Sequence, residues 1–354
     1  MLPATDGGIL KMTPIIELKH IGKSFIVKRG IFSEKREVKI LDDVNLAVEE
    51  GEVLALVGES GCGKTTTAKI IAGIHKPTKG EFLYRGKNVW KMNKEEFVRY
   101  RRAVQLIHQD PYASLNPTMR VFDTIKAPLL RHKIVEKKKV YDKVLELLEM
   151  VDLNPPEEYA FKYPHQLSGG ERQRVTIARA LTVGPEFIVA DEPVSMLDVS
   201  IRLSIIELLK DLREKMGVGF LFVTHDLAMA KYFALEGKTA VMYLGKVVEY
   251  GNTRDVIDNP LHPYTQVLLK AIPEADPEVT RKKEMPKLRS LDVPSFLNLP
   301  TGCRFHTRCP LYMEGLCNKK EPKLREVSST RKVSCWLYHD EEGNVKEGVL
   351  KGVV

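Results

Sequence analysis

Gly58-Glu-Ser-Gly-Cys-Gly-Lys-Thr65 is the stretch that decides the fold. It follows a short apolar run, Glu52-Val-Leu-Ala-Leu-Val57, bounded by Gly51 and Gly58, and it opens a helix predicted from Thr65 to Ala72. An apolar run of that length between glycines reads as a strand buried on both faces. Strand, glycine-rich loop and helix together give the pattern G-x-x-x-x-G-K-[ST] its physical meaning. Glycines let backbone N–H groups approach phosphate oxygens closely. The new helix adds unpaired N–H groups and the positive end of its dipole. Lys64 supplies a compact charge for β- and γ-phosphates, and the Thr65 hydroxyl is a ligand for Mg²⁺. Gly58, Glu59, Ser60, Gly61, Cys62, Gly63, Lys64, Thr65 and Thr66 form the candidate triphosphate site. Cys62 is read there as filling space, not as a metal ligand.

Further along, Phe187-Ile-Val-Ala-Asp191-Glu192 is an apolar strand that delivers two adjacent carboxylates. Successive strand residues face opposite ways, so the pair can divide two tasks. Asp191 is expected to hold Mg²⁺, directly or through water, and Glu192 to act as general base on a water. Elsewhere, Ile15 to Phe25 and Ile40 to Val48 read as strands, and Pro77 to Gly80 as a turn. The stretch from Pro111 to Pro164 reads as mainly helical, with Val140 to Val151 at helical spacing and Asn154-Pro-Pro stopping it. Ile201 to Met216 is an amphipathic helix, and Gly219 to Val223 is a strand ending at Thr224 and His225. Helices and strands alternate, which predicts an α/β core with a mostly parallel sheet.

Between the loop and the carboxylates lies Leu167-Ser-Gly-Gly-Glu-Arg-Gln-Arg174. Here the chain resembles the ATP-binding cassette (ABC) family, whose signature is LSGGQ, with Glu171 in the commoner glutamine's place. Ser168, Gly169 and Gly170 open a helix and make a second anion site. The resemblance implies that this site, with Glu171, faces the nucleotide in the partner subunit's cradle. By itself the turn also reads as a mere cap starting a helix over 171–181, a reading set aside because the turn stands in register with the loop and the carboxylates.

The resemblance carries over other residues in order. Gln109, in Ile107-His-Gln-Asp-Pro-Tyr-Ala-Ser-Leu-Asn-Pro117, matches the glutamine that senses metal and water. Ser195-Met-Leu-Asp198 matches the D-loop, with Met196 departing from the usual alanine and Asp198 kept. His225 matches the switch histidine that contacts the γ-phosphate. Phe25 matches the aromatic that stacks on adenine, worth about 0.5–1.5 kcal/mol beyond its burial. It covers about Ile15 to Gly251. The implied fold is a P-loop NTPase cassette: a RecA-like core, an antiparallel β subdomain and an α-helical subdomain at about 111–170. The expected division is a nucleotide-binding domain over 14–260 and a C-terminal region over 261–354.

Three features resemble the oligopeptide/dipeptide importer subfamily: the QDPYASLNP context, His262-Pro-Tyr-Thr265 followed by QVLLKAIP, and a tail from Pro300. The tail reads Cys303-x5-Cys309-x7-Cys317-x17-Cys335. Clustered cysteines in a cytosolic chain suggest a metal or cluster more than disulfides. Four thiolates can hold a 4Fe–4S cluster or Zn²⁺. Zinc favours close C-x₂₋₄-C pairs, which are absent, and the resemblance implies the cluster; unligated thiols are the third reading. It also implies a second ATPase subunit, a paralogue or a second copy. Two transmembrane permease subunits and an extracytoplasmic substrate-binding protein complete the expected assembly. Cargo is expected to be peptides; the same subfamily also moves oligosaccharides and nickel.

Composition sets the outer bounds. The 354 residues suffice for two domains, and 43% hydrophobic residues suit a globular chain. No run of roughly 18 apolar residues occurs, so no segment is expected to span a bilayer. Met1 to Thr13 lacks the basic start and apolar middle of a secretory signal, which predicts that the chain stays in the cytoplasm, and the resemblance implies a peripheral place on the cytoplasmic side of the cell membrane. The net charge of +8 admits nucleic acid or an anionic membrane surface, and Lys28, Arg29, Lys35, Arg36 and Lys39 cluster in a predicted loop read as solvated. DNA-acting cassettes carry a long coiled coil between loop and signature. None fits between Lys64 and Ser168, so nucleic acid is not an expected partner.

Overall fold

The computed structural model describes residues 13–27, 35–272 and 287–346. Lys28 and Arg29 of the basic cluster lie outside them, as does Pro273 at the composition shift. In chain order the elements are β1 (Ile16–Val27), β2 (Arg36–Val48), β3 (Val53–Val57), α1 (Lys64–Ile71), β4 (Lys79–Tyr84), β5 (Lys87–Asn88), α2 (Lys94–Ala103) and β6 (Val104–Ile107). Next come α3 (Pro111–Ser114), α4 (Val121–Arg131), α5 (Val140–Glu149), α6 (Pro156–Ala160), α7 (Gly169–Leu181) and β7 (Phe187–Asp191). The chain continues through α8 (Val199–Met216), β8 (Gly219–Thr224), α9 (Leu227–Ala234), β9 (Lys238–Tyr243) and β10 (Lys246–Asn252). It closes with α10 (Thr253–Asp258), α11 (Pro263–Lys270), β11 (Arg325–Ser328) and β12 (Arg331–Val333).

Two sheets carry the structure. An antiparallel sheet has the order β2-β1-β4-β5, and a larger one the order β11-β12-β10-β9-β3-β8-β7-β6. In the larger sheet β9, β3, β8, β7 and β6 run parallel, while β10, β12 and β11 join antiparallel. The parallel core predicted by alternation is present, and an antiparallel extension of the same sheet was not anticipated.

The all-apolar strands have a direct cause, because both faces of the sheet are covered. Val53, Ala55 and Val57 of β3 enter one core with Ile188, Ala190, Phe220 and Phe222. That core is closed by α4, α5, α7, α8 and α9. Leu54 and Leu56 enter the opposite core with Phe187, Val189, Leu221 and Val223, closed by α1 and the antiparallel sheet. The period of two along each strand sorts these side chains between the cores. Pro77 and Thr78 lead into β4, which already contains Lys79 and Gly80, so the expected turn is shorter than read. Among the described residues no helix is long and apolar enough to cross a membrane.

Candidate active site

Every residue of β3 is buried, and the chain leaves its end with almost no clearance. A Cβ on Gly58 would lie 2.1 Å from the carbonyl oxygen of Met242 on β9, so only glycine passes. The loop returns through Gly63, whose φ of 113° precedes α1, and no side chain caps that helix. The leading N–H groups of α1 are left for an anion. Lys64, 3% exposed, donates from Nζ to the carbonyl oxygens of Gly58 at 2.8 Å and Glu59 at 3.0 Å. Cys62 is buried in the core behind the loop, and burial pushes its thiol up to about 11, in keeping with a space-filling role.

The two carboxylates occupy different surroundings. Asp191 ends β7, and the Thr65 hydroxyl donates to its Oδ1 at 3.2 Å. Burial pushes the Asp191 carboxyl up to about 6; the Glu192 charge adds to this, and Thr65, Lys69 and Lys64 oppose it. Mg²⁺ is the charge such a buried carboxylate lacks, and a hydroxyl with a carboxylate is a hard-oxygen donor set that suits it. Glu192 has a φ of 47°, a left-handed conformation that strains a residue with a Cβ. Its carboxylate is the meeting point of the site. Lys64 Nζ lies 3.7 Å from Oε1, Gln109 Nε2 donates to Oε2 at 3.3 Å, and His225 Nδ1 lies 3.3 Å from Oε2. Gln109, Glu192 and His225 each follow the carboxyl end of a neighbouring parallel strand, where open α/β sheets bind ligands.

A cavity of about 460 Å³ lies over this centre, lined by Ser60, Gly61, Gly63, Lys64, Thr65, Thr66, Gln109 and Glu192. Phe25, Val27, Val38 and Ile40 form its apolar side. Phe25 stands edge-on to His75 with centroids 5.5 Å apart, and Lys23 Nζ lies 4.9 Å from its ring centre. Phe296, from the C-terminal region, lines the same cavity; no periodicity or motif marked it.

The signature turn stands apart, for Ser168 to Glu171 do not line this cavity. Ser168 caps α7: its hydroxyl accepts from the Glu171 N–H at 3.3 Å, and Glu171 Oε2 accepts from the Ser168 N–H at 2.7 Å. The Tyr159 hydroxyl donates to Glu171 Oε1 at 2.8 Å. Glu171 therefore does what a glutamine can also do at the third helical position, closing a capping box. A Cβ on Gly170 would lie 2.6 Å from Ile201 Cγ2 of α8, so glycine there is a packing requirement too. Asp198 is exposed at the start of α8, beside exposed Met196, Val199 and Leu203.

Cys303, Cys309, Cys317 and Cys335 are all free thiols, the last three buried. Burial pushes the Cys303 thiol up to about 12 and the Cys309 thiol to about 11, and raises Cys335; the field of Cys317 adds to each. The four are thus gathered in one region. Among the described residues no three thiol, imidazole or carboxylate groups converge closely enough to hold a metal ion. The donor chemistry suits a soft metal centre, and the spacing of the thiols does not close on one.

A glycine loop between a parallel strand and a helix, answered by carboxylates at a strand end in the same sheet, defines a P-loop nucleoside triphosphatase. Comparisons with known proteins narrow the class. The family model described as ABC transporter matches residues 41–195, and that of the oligopeptide/dipeptide transporter C-terminal region matches 248–317. The oligopeptide transport ATP-binding protein AppF of Bacillus subtilis (strain 168) is 41% identical over 326 residues, 92% of this chain and 97% of its own. The dipeptide transport ATP-binding protein DppF of Escherichia coli (strain K12) is 39% identical over 329 residues, covering 93% and 96%. The solved dimeric, post-hydrolysis state of the ATP-binding cassette MJ0796 bound to ADP and Pi superposes with a TM-score of 0.59 at 31% identity. It covers 68% of this chain and 99% of that one. This chain belongs to the ABC transporter ATP-binding proteins of the oligopeptide/dipeptide type.

Proposed function

We propose that this chain is the ATP-hydrolysing subunit of an importer of oligopeptides or dipeptides, seated on the cytoplasmic side of the membrane. The observation that carries the catalytic reading is the convergence of Lys64, Gln109 and His225 on the Glu192 carboxylate. Glu192 accepts the proton of the attacking water, and Gln109 and His225 orient that water and the γ-phosphate. Lys64 draws on the phosphates and the N–H groups of α1 cradle them. Thr65, Asp191 and Gln109 would hold Mg²⁺ together with ATP, and the ion would supply positive charge against the phosphate oxygens. Phe25 meets the adenine.

The working unit is a pair of such subunits, paralogous or identical. What supports the pair is the position of Ser168, Gly169, Gly170 and Glu171 away from the chain's own cavity, together with the exposed Met196, Val199 and Leu203 beside Asp198. The signature of one subunit covers the nucleotide of the other. Closure then follows from ATP binding the closed pair better than the open one. Two permease subunits dock near Tyr112 through Asn116, of which Tyr112, Ala113 and Asn116 are exposed, beside a groove of about 700 Å³ that includes Ser114, Asn116 and Met119. An extracytoplasmic binding protein selects the cargo. The division into a cassette over 14–260 and a C-terminal region over 261–354 belongs to the same reading.

The four cysteines hold a 4Fe–4S cluster or, alternatively, Zn²⁺. Three buried, uncrosslinked thiols and a fourth beside them support this, and the occupied state requires them to draw closer than they stand here. Iron, sulfide and zinc analysis of anaerobically purified protein distinguishes the two. The transport reading is tested with the subunit, its genomic neighbours and a labelled peptide in sealed vesicles. ATP-dependent accumulation of peptide is the expected result. Accumulation of a sugar in place of peptide would replace the cargo.

A further inference from the structure

We propose that Arg308 and Tyr264 are positioning residues of the phosphate cradle, through which the cysteine-bearing region holds the Glu59 carboxylate away from the triphosphate. The proposal rests on the reading of residues 58–66 as the triphosphate site. Glu59 occupies a position in the loop where the pattern admits any residue. A carboxylate there is a liability, because ATP brings several negative charges to the same loop.

The structure restrains Glu59 at three of its groups. Its carboxylate takes a two-pronged ion pair from Arg308, Nη1 to Oε2 at 2.8 Å and Nη2 to Oε1 at 3.0 Å. Its backbone N–H donates to the Tyr264 hydroxyl at 2.8 Å. Its carbonyl oxygen accepts from Lys64, the residue that meets the phosphates. Both partners from beyond the cassette core are rigidly set. Arg308 is buried, and Tyr264 is fully buried against Tyr243, with ring centres 4.6 Å apart, and Phe305, at 5.4 Å. A parallel guanidinium–carboxylate fork fixes direction as well as charge.

A second grip comes from the same short segment. Arg304 donates to the Leu244 carbonyl oxygen and pairs with Asp42. The N–H of that same Leu244–Gly245 peptide donates to the Cys62 carbonyl oxygen at 2.7 Å. Cys303 and Cys309 bracket Arg304 and Arg308, so the order of the cysteine segment sets the charge and shape of the loop.

The test measures equilibrium binding of a fluorescent ATP analogue with Mg²⁺, and kcat and KM, on the full-length subunit. Arg308→Gln frees the Glu59 charge, and affinity is expected to fall about tenfold, KM rising and kcat staying within about twofold. Adding Glu59→Gln to Arg308→Gln removes the liberated charge and should restore affinity to within about twofold of the parent. Tyr264→Phe, which deletes only the acceptor of the Glu59 N–H, should raise KM about threefold. A double variant as weak as Arg308→Gln alone, or a Tyr264→Phe enzyme with unchanged KM, overturns the proposal. Failure of the unaltered chain to bind ATP would instead defeat the triphosphate reading beneath it.

Discussion

Two helices of this chain open on glycine-rich turns, and their first turns are built in opposite ways. At α1 no side chain caps the end and no acidic residue stands in the first turn. At α7 Ser168 and Glu171 close a full capping box around the Ser168 and Glu171 amides. The box leaves only the Gly169 and Gly170 N–H groups free for an anion. The cradle thus keeps its donors for a ligand of its own chain and is held in shape by neighbours such as Met242 and Lys64. The signature turn keeps itself folded and offers only what its cap does not use. The first helix start lies against the chain's own cavity, and the second stands away from it with two amides uncapped.

The contrast can be pressed hardest at the cradle. Glu192→Gln should cut ATP turnover about 10²–10⁴-fold while leaving ATP binding intact, read by steady-state hydrolysis beside equilibrium binding. Near-normal turnover would remove Glu192 from the role of base.

The next effect is in pH. The Asp191 carboxyl is pushed up to about 6 from an ordinary 3.8, so it carries a proton below that pH. Mg²⁺ needs the ionised form, and Mg²⁺-dependent ATP binding should fall about tenfold per pH unit below about 6. The same shift has the opposite sign for the empty fold. A carboxyl that binds its proton more tightly when folded adds stability as pH falls through about 6 toward 3.8. Asp191→Asn should flatten this profile. A magnesium titration between pH 7.5 and 5 gives the slope, and persistence of the same slope in Asp191→Asn would move its origin elsewhere.

The signature turn should respond more mildly as a structure. Ser168→Ala removes the cap of α7 and should lower stability by about 1 kcal/mol in chemical unfolding, while hydrolysis falls far more than ATP binding by the isolated subunit. Smallest of all, Glu171→Gln keeps one oxygen to accept from the Ser168 N–H while its amide NH₂ donates to the Tyr159 hydroxyl, which turns from donor to acceptor, and stability should stay within about 0.5 kcal/mol. A loss as large as that of Ser168→Ala would show that the Glu171 charge, not the capping box, matters.

The parts of this molecule legible in its sequence are those where local chemistry is self-sufficient. Glu52 to Val57 and Phe187 to Ala190 read as buried strands because both of their faces meet a core, and the loop at Gly58 is marked by residues that only one backbone path requires. The α7 start was legible as a helix cap, and the structure has that cap, with Ser168 and Glu171 closing it. Val104–Ile107 was missed because it follows directly on the polar helix Lys94–Ala103, with no turn residue to separate them. The grip on Glu59 was invisible for a different reason. Arg308 and Tyr264 lie about 200 or more positions away along the chain, and nothing in the neighbourhood of either announces the partner. Long-range pairs of single side chains leave no periodicity to read.

The C-terminal hairpin is also less of an appendage than its place in the chain suggests. Strand β12 pairs with β10 through Glu249, Tyr250 and Gly251, and the buried Arg331 closes on Glu249 at 2.6 Å. A chain still emerging from the ribosome has made the whole nucleotide core before that hairpin exists, and until then the flank of β10 is an open row of backbone groups. Unfinished or truncated copies carry that open seam, a ready template for sticking to one another. Manufacture of this protein is therefore safest when the segment through Val333 follows promptly on the core and closes that seam.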